Sequence, residues 1–152
     1  MNLKLKIIPP LQVLIAGAGM WMVHHYLPLL HMHFPYSNWV SGAILMVAAV
    51  IFCLAAYQLW RHRTTINPMQ VHRTSVLVTG GIYRWSRNPI YLADLLVLLA
   101  WLIWLGNWIN VAWIIAFTAY ITRFQIAPEE QSLQMKFGEE WQRYRTRVRR
   151  WL

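Results

Sequence analysis

The sequence predicts an all-α integral membrane protein with about four transmembrane helices and a C-terminal amphipathic helix lying at the interface. Three observations predict it. Of 152 residues, 58% are hydrophobic and only 12% charged, more apolar surface than a soluble domain of this length can hide. The apolar residues fall in long runs. The fourteen lysines and arginines gather in four places: Lys4 and Lys6; Arg61, Arg63, Arg73, Arg84 and Arg87; Arg123; and Lys136 with Arg143, Arg145, Arg147, Arg149 and Arg150. Connectors 31–38 and 106–110 carry none. This is the positive-inside pattern for an even number of spans, with both termini and the long middle loop cytoplasmic.

The net charge of +9 is therefore explained by the membrane edges, and nucleic-acid binding is excluded as its cause. Ten tryptophans and seven tyrosines agree, because amphipathic rings collect where hydrocarbon meets headgroups. The single Cys53 forms no internal disulfide and is expected to pack within its span. Lys4 and Lys6 before an apolar run, with Ala16-Gly17-Ala18 beyond, imitate a signal peptide. Pro9-Pro10, and an apolar run that continues past those alanines, favour an uncleaved first span.

The elements follow in order. The first span is expected over 8–30, the second over 39–60 between Trp39 and Trp60, the third over 89–105 and the fourth over 108–126. A helix needs about 20 residues to cross about 30 Å of hydrocarbon. The third and fourth are short for this, and Gly106-Asn107 should join them in a tight hairpin. Between the second and third spans, Asn67-Pro68 and Thr79-Gly80-Gly81 predict mostly irregular backbone. A loop of this length is more often functional than decorative.

The tail is expected to be helical over 128–150. Leu133, Phe137, Trp141, Tyr144, Val148 and Trp151 recur at steps of four and three, one face of a helix, and the other face is basic. Pro128-Glu129-Glu130 forms a helix-start signal. Gly138 weakens the middle and is expected to divide it.

Two clusters carry chemistry. In the loop at 77–91, Gly80 and Gly81 allow close backbone approach or positive φ. Pro89 starts a helix whose free N–H groups, beside Arg87, suit an anion; an ordinary basic interfacial loop has the same composition. Glu129 and Glu130 either cap the tail helix or grip a cationic, hydroxyl or amino group. Asp94, a turn into the third span, is an ionisable intramembrane residue, for which a substrate-facing and a structural role both fit. His24, His25, His31 and His33 lack acid or cysteine partners, so they read as interfacial side chains and no metal site is expected.

Residues Gly81, Tyr83, Arg87, Asn88, Pro89 and Tyr91 follow the pattern Gly-x-Tyr-x-x-x-Arg-His/Asn-Pro-x-Tyr. Glu129, Glu130, Leu133, Phe137, Gly138, Tyr144 and Arg147 follow Glu-Glu-x-x-Leu-x-x-x-Phe-Gly with later aromatics and arginines. Over 77–152 the chain thus resembles the membrane-embedded methyltransferases typified by isoprenylcysteine carboxyl methyltransferase and the phospholipid N-methyltransferases. The resemblance implies that both motifs enclose S-adenosylmethionine at the cytoplasmic face, without a Rossmann fold. It implies Arg87, Asn88 and Tyr91 at the cofactor's amino-acid or sugar end, with Gly81 and Pro89 shaping the loop. Glu129 and Glu130 would face its ribose or amino groups, and Tyr83, Tyr144 and Arg147 would close the pocket.

Asn88 stands where the family's best-studied members have His. It donates and accepts hydrogen bonds but does not titrate near neutral pH, so no acid–base role carries over. No catalytic base is assigned; Arg87, Asn88 and Asp94 are positioning candidates. The implied acceptor is a small or lipid-linked molecule reached from the membrane lipid. Two other readings stay open: a non-catalytic membrane scaffold, and a related NADPH-dependent membrane reductase. Glu129-Glu130 stands against the reductase, since a dinucleotide's phosphates prefer cations.

Overall fold

A computed structural model describes residues 9–27, 30, 35–63 and 76–152. Lys4, Lys6, His31, His33, Arg73 and the Asn67-Pro68 turn lie outside these residues. The described residues form an all-helical fold without strands: α1 (Pro9–Tyr26), α2 (Ser37–Arg61), α3 (Pro89–Leu105), α4 (Val111–Ile121) and α5 (Ala127–Arg147). Short 3-10 turns lie at Gly81–Arg84 and Trp108–Asn110.

Two helical stretches are long and apolar enough to cross a membrane, Ser37–Arg61 and Trp108–Arg147. In α2 the buried residues are Ser41, Ala48 and Ala55. They recur every seven residues, a narrow small-residue seam that lets α2 lie close along α3. The rest of its apolar surface points outward, with Trp39 81% and Trp60 71% exposed. Water would not tolerate such a helix, whereas lipid solvates it. Cys53, expected to pack, is on the exposed side.

The third helix occupies the centre. On one side Tyr91, Leu98, Leu102 and Leu105 pack with Ala16 and Met20 of α1 and Phe117 and Ile121 of α4. At the end of α3, Asn107 and Asn110 are fully buried. Asn107 donates to the Leu27 carbonyl (2.9 Å) and Asn110 to the Met20 carbonyl (3.1 Å), fixing the C-terminal half of α1 against the α3–α4 turn. Trp101 Nε1 donates to the Gly17 carbonyl (3.2 Å), so α1 and α3 run in the same direction. An apolar groove of about 820 Å³ is lined by Val13, Gly17, Ser41, Leu45, Val97 and Trp101.

The tail differs from expectation in two ways. Pro128 does not start a separate helix: α4 passes into α5 through a π turn at Thr122–Ile126. Proline lacks an N–H and its ring crowds the carbonyl four residues earlier. Widening the preceding turn, so that Ala127 N–H bonds the Thr122 carbonyl, absorbs this without ending the helix. The helix also stops at Arg147, because Val148 is extended (φ −119°, ψ 132°). Val148 and Trp151 therefore leave the expected helical stripe, and Trp151 turns back onto the main core. Gly138 does divide α5, with φ 51° and ψ −116°, a conformation open to glycine alone.

Candidate functional site

The site forms where the start of α3, the start of α5 and the end of the chain meet. Its loop is set by Gly81, whose φ is +58°; a Cβ there would overlap the Gln58 amide. The following 3-10 turn buries Tyr83 against Val78 and Ala55, with Leu59, Ile82 and Ile90 around them. Ser86 Oγ accepts from the Asn88 amide (3.1 Å), turning the chain into Pro89 at the start of α3.

Six of the predicted residues meet directly, in three pairs. Tyr91, in the first turn of α3 and 5% exposed, donates its hydroxyl proton to Glu129 Oε1. Arg87 Nη2 lies 3.0 Å from Glu130 Oε1, with the Arg87 side chain 7% exposed. The guanidinium also sits over the Trp141 ring, 5.6 Å from its centroid. Tyr144 donates its hydroxyl proton to the Tyr83 carbonyl (2.8 Å), tying α5 to the loop.

Arg150, which sequence reasoning placed only on a basic face, completes the cluster. Its Nε donates to Glu130 Oε1 (3.2 Å) and its Nη2 to Oε2 (2.6 Å), a fork on the carboxylate. The chain end runs beside the loop: Arg87 N–H donates to the Arg149 carbonyl (3.0 Å). The Arg150 carbonyl accepts from Asn88 Nδ2 (2.9 Å) and Ser86 Oγ (3.3 Å). The Asn88 side chain thus holds the tail. Ser86 and Trp141 were also not anticipated as site residues; Trp141 was assigned to the packing stripe, and no local signal marked Ser86.

Arg147 is exposed, whereas Arg150 holds the fork on Glu130. Asp94 lies one turn beyond Tyr91 in α3, and its Oδ2 is buried without a hydrogen-bond partner. His25 stacks on Trp21 and meets Tyr26 edge-on. Among the described residues no three His, Cys, Asp or Glu side chains come together to hold a metal.

The electrostatics are those of a site with both signs of charge. Burial lowers the Arg87 guanidinium from its ordinary value; Glu130 opposes this, while Arg150 and Arg145 add to it. Hydrogen bonding to Glu130 raises Arg150. Burial, reinforced by Tyr144 and Glu129, raises the Tyr83 phenol, which stays a neutral donor. Arg87 Nε and Nη1 are buried without hydrogen-bond partners, and buried donors left so are costly unless an anion meets them. Among the described residues Glu129 forms no ion pair. Burial pushes the Glu129 carboxyl up to about 8, so a cationic group facing it and an anionic group facing the free donors of Arg87 would each relieve a buried cost.

A family model described as phospholipid methyltransferase matches residues 37–140. A Haemophilus influenzae protein described as uncharacterized is 54% identical over 65 residues, 41% of this chain and the whole of that protein. A Mus musculus Delta(14)-sterol reductase is 35% identical over 74 residues, 47% of this chain. The matched segment is 18% of the mouse protein.

Proposed function

Because the chain belongs to the phospholipid methyltransferase family, we propose that it transfers a methyl group from S-adenosylmethionine to a small or lipid-phase acceptor at the cytoplasmic face of a membrane. In this reading α1, α2, α3 and the stretch 108–126 are four spans. The tail arginines and Arg123 mark the cytoplasmic side. The observation that carries the proposal is the meeting of Arg87 and Tyr91 with Glu130 and Glu129 in one cluster.

Glu129 would face the donor's positive groups, and a free N–H of Arg87 its carboxylate. Tyr91 orients Glu129, while Tyr83, Tyr144 and Trp141 wall the cluster and exclude water. The methyl donor held there would supply a methyl group for in-line attack by the acceptor's lone pair, the electrons of the broken carbon–sulfur bond staying on sulfur. Alignment is then the main task of the residues, and no general base is demanded of Asn88.

Calorimetry of the detergent-purified protein tests the proposal. S-adenosylhomocysteine is expected to give heat that disappears in Glu129→Ala and Arg87→Ala, with NADPH silent. No heat with the wild type would leave a non-catalytic scaffold as the better reading. Heat with NADPH instead would favour the reductase reading, toward which the similarity to a Delta(14)-sterol reductase points.

A further inference from the structure

Glu130 is shared by two arginines in unequal parts. Arg150 takes both of its oxygens, whereas Arg87 approaches Oε1 alone and through Nη2 alone. The Arg87 Nε and Nη1 groups are left buried and without hydrogen-bond partners. A carboxylate and a guanidinium otherwise favour a two-bond fork with each other. Here the fork belongs to Arg150, and Arg87 keeps two donors free in a site from which water is largely excluded.

From this arrangement we infer that Arg150 is a positioning residue: by holding Glu130, it keeps the unpartnered Arg87 donors, Nε on one edge of the guanidinium and Nη1 on the other, available for the carboxylate of a bound ligand. The inference rests on the proposed methyl donor, whose amino-acid end carries that carboxylate. Arg150 acts through Glu130 and does not itself touch the ligand. Its backbone is fixed separately, since its carbonyl accepts from Asn88 and Ser86 and the Arg149 carbonyl from the Arg87 amide. Trp151 packs on the core. Changing the Arg150 side chain therefore leaves the tail's other anchors in place. Without Arg150, Glu130 closes onto Arg87 as a two-bond fork, through Nη2 and either Nε or Nη1, and so competes with the ligand's carboxylate. The basic tail is thereby a part of the site as well as of the membrane-facing charge.

The test compares two probes in calorimetry: S-adenosylhomocysteine, which has the carboxylate, and 5′-methylthioadenosine, which lacks the amino-acid end. Arg150→Gln is expected to lose about tenfold or more in affinity for S-adenosylhomocysteine, the scale of one charged hydrogen bond, with methylthioadenosine binding nearly unchanged. Adding Glu130→Gln to Arg150→Gln removes the competitor for Arg87 and is expected to restore most of the loss. Arg150→Lys, a point charge without a fork, should fall between, and it serves if Arg150→Gln does not fold. Equal losses for both probes, or no recovery in the double variant, would overturn the inference while leaving the donor assignment intact. Absence of S-adenosylhomocysteine binding to the wild type would overturn both.

Discussion

The Tyr91 hydroxyl donates to the Glu129 carboxylate across 38 positions of sequence, joining the first turn of α3 to the first turn of α5. The bond spans the two segments whose meeting defines the site, and it leaves Glu129 neutralised by no cation among the described residues. Tyr91→Phe keeps the ring in the core cluster that includes Leu98 and Ile126 but strands the carboxyl. Because burial pushes the Glu129 carboxyl up to about 8, near neutral pH the bond joins two largely uncharged groups, and such a bond contributes about 0.5–1.5 kcal/mol. Thermal unfolding in detergent should therefore show Tyr91→Phe less stable by that order, and calorimetry should show weaker S-adenosylhomocysteine binding. An unchanged melting temperature together with unchanged affinity would mean that the bond holds nothing together.

Arg87 is a sharper case, because lysine keeps its charge but not its shape. The guanidinium stacks over Trp141, pairs with Glu130 and presents two unpartnered nitrogens at once, and a lysine ammonium cannot do all three. Arg87→Lys is expected to lose about tenfold or more in S-adenosylhomocysteine affinity, as for the loss of one charged hydrogen bond. Wild-type affinity in Arg87→Lys would show that only net charge matters there.

Much of this site was legible in the sequence because its signals are local. Gly81, the Asn88-Pro89 helix start and the adjacent acids Glu129 and Glu130 each act within a turn of themselves, and α3 begins and ends at its proline and glycine signals, Pro89 and Gly106. What stayed hidden depends on contacts across the chain. Pro128 carries a helix-start signal, yet the core packing of Ile121 and Ile126 keeps the helix continuous and a π turn takes the strain. Val148 and Trp151 match the helical period, but Val148 is extended and the chain beyond it folds back. The carbonyls that receive the loop belong to Arg149 and Arg150, so no side-chain pattern could have announced them.

Gly81 links α2 to the site. Its φ of +58° costs an L-residue about 1–2 kcal/mol, and a methyl group there meets Gln58. Gly81→Ala should therefore lower stability by at least that order and weaken S-adenosylhomocysteine binding by displacing Tyr83. Gln58→Ala in the same protein is expected to recover the part due to overlap but not the part due to φ, as read from thermal unfolding of the two variants. Full recovery would place the whole cost in the overlap.

Asn107 tests whether the far end of the bundle is independent of the site. Its amide bridges the Leu27 carbonyl and the Ile109 N–H, both remote in sequence from the Arg87 loop. Asn107→Ala strands a buried carbonyl and removes a cap, a loss of about 1–3 kcal/mol. Thermal unfolding should show that loss while affinity for S-adenosylhomocysteine stays at the wild-type value. A matching fall in affinity would mean that the hairpin turn transmits to the site.

Asp94 poses the opposite trade. A carboxyl within a span is costly and is usually retained for function, and here Oδ2 is buried without a partner one turn beyond Tyr91. Asp94→Leu removes that cost on a helix that is otherwise apolar, so it is expected to raise the melting temperature. Turnover is expected to fall because, in the proposed four-span arrangement, the residue lies on the membrane side of the Tyr91–Glu129 pair, where a lipid-phase acceptor would approach. Donor affinity should stay near wild type, since no donor-facing group in the cluster bonds to Asp94. A variant that is both less stable and fully active would assign Asp94 a purely structural role, with its partner elsewhere in the bundle.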